Sequence, residues 1–301
     1  MSKAKRALCL PGSGCRGAFQ FGVMKRLTEA GESFDLVAGA SSGSIAGAVM
    51  VAGLTAEGPD MFRSMSSTKI VSSKYLRSEG SPFGMARIVR EALTRFVPNE
   101  RIVESETELL VSTTRASRML KSAYESAKAR VRAIGSPRSA PATGSGFPFH
   151  EPSPVHALAL RSEALVVHSN RTRSDMHDVI VASCSIPGLY ARLPVLDGEV
   201  HVDGGAADNT LLSELLARGA TDITVVTPYL DGAVSPTMFE RERTPRVPPH
   251  VRLRLISPAR LIRLRHFDFD PGRLQEALEM PWKIEILEAS ETPALAAGAD
   301  G

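Results

Sequence analysis

Phe34-Asp35-Leu36-Val37-Ala38-Gly39-Ala40-Ser41-Ser42-Gly43-Ser44-Ile45-Ala46-Gly47-Ala48-Val49-Met50 reads as strand, sharp turn and helix. Leu36 to Ala38 is a short apolar run of the kind that forms a buried strand. It breaks at Gly39-Ala40-Ser41-Ser42-Gly43, and small, helix-tolerant residues then run to Met50. A serine therefore stands at the apex of the turn, between glycines placed two residues before and two after it. A nucleophile elbow needs that arrangement, because its strained turn crowds its neighbours and tolerates only minimal side chains there. The helix beginning just past Ser41 aims its free N–H groups at the turn, which favours negative charge developing there. The bland alternative is a Gly/Ser-rich βα turn that only packs.

On the N-terminal side, Ala7 to Leu10 is another apolar run, followed at once by Pro11-Gly12-Ser13-Gly14-Cys15-Arg16-Gly17. A helical period through Phe19, Val23 and Leu27 comes next, closed by Gly31. Two βα units so close together predict parallel strands in a sheet covered by helices. The Gly12–Gly17 loop fits G-x-G-x-x-G, so dinucleotide binding has to be weighed. That chemistry asks for an acidic residue at the end of the second strand, to take the ribose hydroxyls. Here the strand ends in Gly39-Ala40-Ser41, and Asp35 lies at its opposite end. An NAD or FAD enzyme is therefore disfavoured. The competing reading is an oxyanion hole. Acyl transfer through a serine builds an oxyanion that needs preorganised N–H donors, and a glycine-rich loop points consecutive amides inward. The amides of Gly14, Cys15 and Arg16 are the candidate donors. A loop that simply packs a tight turn stays open as the alternative.

Downstream, residues 55–105 read as helical and irregular, with breaks at Pro59, Pro82 and Pro98, and Glu108 to Thr113 as a further strand. Arg115 to about Arg138 is a basic amphipathic helix followed by a Ser/Pro/Gly-rich stretch to Pro154, so 115–160 reads as an insertion. Its cationic face is either simply solvated or attracted to an anionic membrane surface. Ala164 to His168 is a strand, and Met176 to Ser183 a helix ended by Ile186-Pro187-Gly188. Leu193 to Val202 is an edge hairpin turning at Asp197-Gly198 and running into Asp203-Gly204-Gly205. Leu211 to Arg218 is helical, Asp222 to Thr227 a buried strand and Val251 to Ile256 the last strand. Arg273 to Ile286 carries a late helix with Leu274, Leu278 and Trp282 on one stripe, interrupted by Pro281. The expectation is a single domain over 1–285 and a flexible tail over 286–301.

Bulk properties narrow the class. An apolar fraction of 43% over 301 residues is ample for a core, and a net charge of +3 makes no case for nucleic acid. Cys9, Cys15 and Cys184 are too scattered for a disulfide framework or a zinc site and fit free thiols in a reducing compartment. The apolar run behind the basic N-terminus is too short for a signal peptide, and no stretch approaches the roughly 18 apolar residues of a membrane span. A soluble, cytoplasmic α/β protein is expected.

Ser41 needs a base. The seven histidines sit in no recognisable motif. A Ser…Asp…His order is met by Ser41, Asp203 and His250 or His266, but the α/β-hydrolase fold places several strands before its elbow and only one precedes it here. Asp203 offers another route. It follows a predicted strand end, and Gly204 and Gly205 free the backbone around a carboxylate that can reach the serine directly. Such a pair works when partial burial raises the basicity of the carboxylate. Taken alone, Asp-Gly-Gly also suits an ordinary turn.

Four motifs in one order resemble the patatin-like phospholipase family: Gly12-x-Gly14-x-Arg16-Gly17, Gly39-x-Ser41-x-Gly43, Ala182-Ser183-Cys184-Ser185-Ile186-Pro187, and Asp203-Gly204-Gly205. Asp208-Asn209-Thr210-Leu211 is similar as well, and the resemblance covers about 7–114 and 164–230. It implies a three-layer α/β/α sandwich with a mainly parallel central sheet. It implies Ser41 as nucleophile, Asp203 as its base in a dyad, and amides of the loop formed by Gly12, Gly14, Cys15, Arg16 and Gly17 as the oxyanion hole. Gly39, Gly43, Gly204 and Gly205 support the two motifs. No histidine, metal or cofactor is implied, and the substrate is a phospholipid, lysophospholipid or other acyl-ester lipid. Ser13 stands where the family commonly has a middle glycine, and a positive φ there would strain it. A different class of function is a catalytically inactive member that binds lipid or a protein partner.

Overall fold

The structure, a computed structural model, describes residues 4–75, 82–118, 163–187, 190, 192–238 and 248–287. Strand β1 (Arg6–Leu10) pairs in parallel with β2 (Leu36–Gly39), Ala7 opposite Leu36 and Leu10 opposite Gly39. Helix α1 (Ala18–Glu29) connects them and α2 (Ser42–Val51) follows. Alternate residues of β1 enter different cores. Leu8 and Leu10 pack on one face of the sheet, Ala7 and Cys9 on the other. Both faces are covered, which is why these strands read as unbroken apolar runs rather than as alternating ones.

Helices α3 (Gly58–Ser67), α4 (Met85–Phe96) and α5 (Asn99–Val103) follow. Pro59 and Pro98 start helices rather than end them: Pro59 lies in the first turn of α3 and Pro98 caps α5, where a missing N–H is harmless. Next come β3 (Glu108–Arg115), β4 (Leu165–Ser169), α6 (Met176–Ser183) and the hairpin β5 (Val195–Leu196) and β6 (Glu199–Asp203). The chain closes with α7 (Leu212–Ala217), β7 (Asp222–Val226), β8 (Arg252–Pro258), α8 (Pro271–Leu278) and β9 (Trp282–Leu287).

The strand order is β5-β6-β3-β2-β1-β7-β8-β9, with β4 also on β3. The five central strands β3, β2, β1, β7 and β8 are parallel, and antiparallel pairing is confined to the flanks. Residues of α1–α4, α6 and α8 fill the core on one face; Leu211, Leu215 and Ala220 in and around α7 fill the other. This is a three-layer α/β/α sandwich on a mostly parallel sheet, the architecture the resemblance implies.

One expectation fails. The late helix stops at Leu278, and Trp282–Leu287 is a strand antiparallel to β8. Pro281 breaks the helical stripe, and Trp282, Ile284 and Ile286 alternate with Lys283 and Glu285 at a period of two. Val251–Ile256 is therefore not the last strand. Arg115 ends β3, 116–118 turn helical, and 119–138 of the basic segment and most of the insertion lie outside the described residues. Ile286 and Leu287, expected in the tail, close β9, and the tail from 288 lies outside the described residues. Among the described residues no helix is long and apolar enough to cross a membrane.

Candidate active site

Ser41 sits at φ 51°, ψ −128°, between β2 and α2. A non-glycine residue held there stores about 1–3 kcal/mol of strain, so neighbours must over-determine it. Gly43 shows how tight the turn is: a Cβ on it would lie 1.8 Å from the Leu10 carbonyl oxygen. Gly39 ends β2 just before the turn. The Ser41 N–H donates to Ser183 Oγ at 2.9 Å. Its carbonyl accepts from the Ser44 N–H at 2.9 Å and from Ser44 Oγ at 2.6 Å.

Asp203 reaches this point through strand register. On β3, Val111 pairs with Gly39 of β2 on one edge and with His168 of β4 on the other. Two residues on, Thr113 pairs with Val166 of β4 and with Asp203 of β6. Strands β2 and β6 therefore share one edge of β3 and meet end to end, which brings Asp203 to the tip of β2 where Ser41 emerges. The Asp203 N–H donates to the Ser185 carbonyl at 2.8 Å, and its Oδ1 accepts from the Gly205 N–H at 2.8 Å. Gly204 and Gly205 open a short 3-10 turn at this strand end. Oδ2 is buried without a hydrogen-bond partner among the described residues. Burial pushes the carboxyl up to about 6, against the lowering effect of the Ser41 hydroxyl and the Gly205 N–H. Ser41 and Asp203 thus line one cavity, and the serine hydroxyl bears on the carboxyl, although no hydrogen bond joins the two among the described residues.

The Gly12–Gly17 loop lies against the elbow. Ser13 has φ −151°, outside the positive-φ region that would strain a serine. The positive φ falls on Gly14, at +58°, where a Cβ would meet the His266 carbonyl oxygen at 2.4 Å. Three loop amides are already donated: Gly12 to Asn209 Oδ1 at 2.8 Å, Ser13 to Ser42 Oγ at 3.0 Å and Cys15 to the His266 carbonyl at 2.9 Å. Arg16 and Gly17 lie within a 3-10 turn, and the Gly14 N–H has no hydrogen bond among the described residues. The Arg16 side chain points away, its Nε on the Leu264 carbonyl at 2.9 Å.

Sequence reasoning gave no roles to two groups that hold this geometry. Ser183 anchors the Ser41 amide and Ser185 the Asp203 amide, so one short block fixes both. Asn209 clamps the Gly12 peptide from both sides, accepting its N–H and donating Nδ2 to its carbonyl at 3.2 Å. The motif blocks that contain these residues were the available signal.

Ser41, Asp203, Gly12, Ser13, Gly14 and Cys15 open on a cavity of about 110 Å³. Its remaining wall is mainly apolar, with Ile45, Phe62, Met65, Met85, Val89 and Phe269, and includes the buried Tyr190 hydroxyl, which has no hydrogen-bond partner among the described residues. Such a wall suits an aliphatic chain beside a reacting carbonyl. The cysteines are free and buried. Burial pushes Cys15 up to about 12 and raises Cys9 and Cys184 as well, which keeps the thiols protonated and poor as nucleophiles. His168 and His201 both bond Thr113 Oγ1, His250 is exposed, and His266 meets the loop through its carbonyl.

Among curated proteins no sequence matches this chain. Of solved structures, the crystal structure of VipD from Legionella pneumophila is similar at 15% identity and a TM-score of 0.40. The match covers 75% of this chain and 50% of that one, so this chain spans about half of VipD's length. A family model described as patatin-like phospholipase matches residues 8–216, a span that holds the elbow, the glycine loop and the Asp-Gly-Gly turn. The chain belongs to the patatin-like phospholipase family.

Proposed function

We propose that this protein hydrolyses the acyl ester of a phospholipid, lysophospholipid or related lipid, with Ser41 as nucleophile and Asp203 as its base. The observation that carries the reading is the strained serine beside a buried carboxylate oxygen without a partner, at the end of an apolar cavity. Ser41 attacks the acyl carbonyl as Asp203 takes its proton. Collapse of the tetrahedral intermediate breaks the ester C–O bond, Asp203 passes that proton to the leaving alcohol, and an acyl-enzyme and a free carboxylate remain. Asp203 then deprotonates a water that releases the fatty acid. The oxyanion is held by loop amides, with Gly14's N–H unengaged and Cys15's shared with the His266 carbonyl until substrate displaces it. Family membership supports lipid acyl hydrolysis in general; the dyad, the donor set, peripheral contact with an anionic membrane surface and a cytoplasmic setting are parts of this proposal. Buried free thiols support a reducing compartment.

The occupied Cys15 amide favours one alternative, an inactive member that binds lipid or a partner. Labelling with a fluorophosphonate separates the two. Wild type is expected to be modified at Ser41, and Ser41→Ala and Asp203→Asn to lose labelling. A folded wild type that resists the probe would leave the binding-protein reading standing.

A further inference from the structure

Between β8 and α8 the chain runs Arg260-Leu261-Ile262-Arg263-Leu264-Arg265-His266-Phe267 with no regular secondary structure. Its side chains alternate. Ile262 and Leu264 are buried in the core at 5% and 2% exposure, whereas Leu261 and Phe267 stand 66% and 51% exposed. Arg263 and Arg265 are exposed and form no ion pair among the described residues. Arg260 meets Glu276 at 3.6 Å, while Asp268 and Asp270 are both drawn to Arg273. The outward edge is therefore cationic and apolar together, a combination that favours the headgroup boundary of an anionic bilayer over water.

Its place in the molecule gives this strip a purpose. Two bonds hold it on the glycine loop, Arg16 Nε to the Leu264 carbonyl and the Cys15 N–H to the His266 carbonyl. Phe267 and Met238, both more than two-fifths exposed, also line the cavity that holds Ser41. The apolar rim, the cavity and the unpaired arginines are thus continuous. A lipid leaving a bilayer pressed against the rim would enter acyl chain first without crossing water.

We propose that Arg260–Phe267, with Met238 across the opening, is the face by which this protein docks on an anionic phospholipid bilayer. The proposal rests on the lipid-hydrolase reading, and it places the contact here rather than on the basic 115–138 segment. The test is sedimentation of the Ser41→Ala protein with phosphatidylcholine vesicles, with and without one-quarter phosphatidylglycerol. Binding is expected to anionic vesicles only, to weaken with added salt, and to fall at least ten-fold in Arg263→Glu/Arg265→Glu, with a smaller loss in Leu261→Ser. The same charge reversal in the Ser41 protein should leave the melting temperature unchanged and hydrolysis of a water-soluble short-chain ester within two-fold. Undiminished vesicle binding of the charge-reversed protein, or no anionic binding by Ser41→Ala, overturns the proposal. A protein that binds through this strip but hydrolyses no ester overturns the catalytic reading instead.

Discussion

Asp203 carries the chemistry proposed for the site, and its environment fixes how the chemistry depends on pH. Burial raises its carboxyl to about 6, so near neutrality it is ionised yet more basic than a solvated aspartate. For a base that must be unprotonated in the free enzyme, kcat/KM on a soluble ester should fall about ten-fold per unit as pH drops below about 6. A profile flat down to pH 4.5 would exclude Asp203 as the base. Ser183 makes a separate prediction. Its hydroxyl is the acceptor for the Ser41 N–H, and an unsatisfied buried amide costs about 1–3 kcal/mol. The strained turn is where that cost would be relieved, by letting Ser41 rotate off its attacking geometry. Ser183→Ala should therefore lower kcat by roughly ten- to hundred-fold, with KM little changed, since Ser183 does not line the cavity. A rise in KM at constant kcat would show that the block shapes substrate binding and leaves Ser41 alone.

At the scale of elements, two glycines separate crowding from backbone freedom. Gly43 opens against Leu10 with no room for a methyl, so Gly43→Ala must push α2 off β1 and should cost several kcal/mol and all activity. Gly198 has φ +80° in the β5–β6 turn with open space around it, so Gly198→Ala should cost only about 1 kcal/mol. Thermal melts of the two variants test the contrast; equal losses would mean that the elbow relaxes more freely than its contacts indicate. The same elements show what the sequence made legible. Strands β1, β2, β3 and β7 announced themselves because burial on both faces leaves an apolar run, and the elbow because sterics demand glycines at fixed offsets. The turn at Asp197-Gly198 was readable because both residues must take positive φ, as they do at 51° and 80°. What stayed hidden depends on register between distant strands. That β6 meets the tip of β2 follows from which edge of β3 each strand takes, and no local pattern encodes it. The roles of Ser183, Ser185 and Asn209 follow from that meeting and were hidden with it. Strand β9 was misread because Leu274, Leu278 and Trp282 continue a helical stripe by coincidence across Pro281.

Across the whole molecule, the site and the sheet oppose each other in acid. His168 Nε2 and His201 Nδ1 both lie 2.8 Å from Thr113 Oγ1, a hydroxyl with one proton, so at least one ring must donate to it. Burial, aided by the charges of Arg173 and His201, lowers His168 to about 4, below the 6.5 of a solvated ring. Between those values the unfolded chain binds more protons, so stability is lost as pH falls from 6.5 to 4, by about 3 kcal/mol. Asp203 has the opposite sign. Its folded value of about 6 lies above the unfolded 3.8, so the native state binds more protons and stability is gained as pH falls through that interval, again by about 3 kcal/mol. The two contributions largely cancel over one pH range. Replacing Asp203 by asparagine keeps an acceptor for the Gly205 N–H and removes only the titration. Asp203→Asn should therefore be more stable than wild type at pH 7.5, by up to about 3 kcal/mol, or roughly 5–10 °C for a domain of this size. That advantage should shrink steadily below pH 6 and vanish near pH 4, leaving the variant with the steeper acid loss set by His168. Melting curves of both proteins from pH 4 to 8 decide it. A melting-temperature difference that does not change with pH would mean that Asp203 titrates as an ordinary carboxylate, and the case for it as a base of raised basicity would go with it.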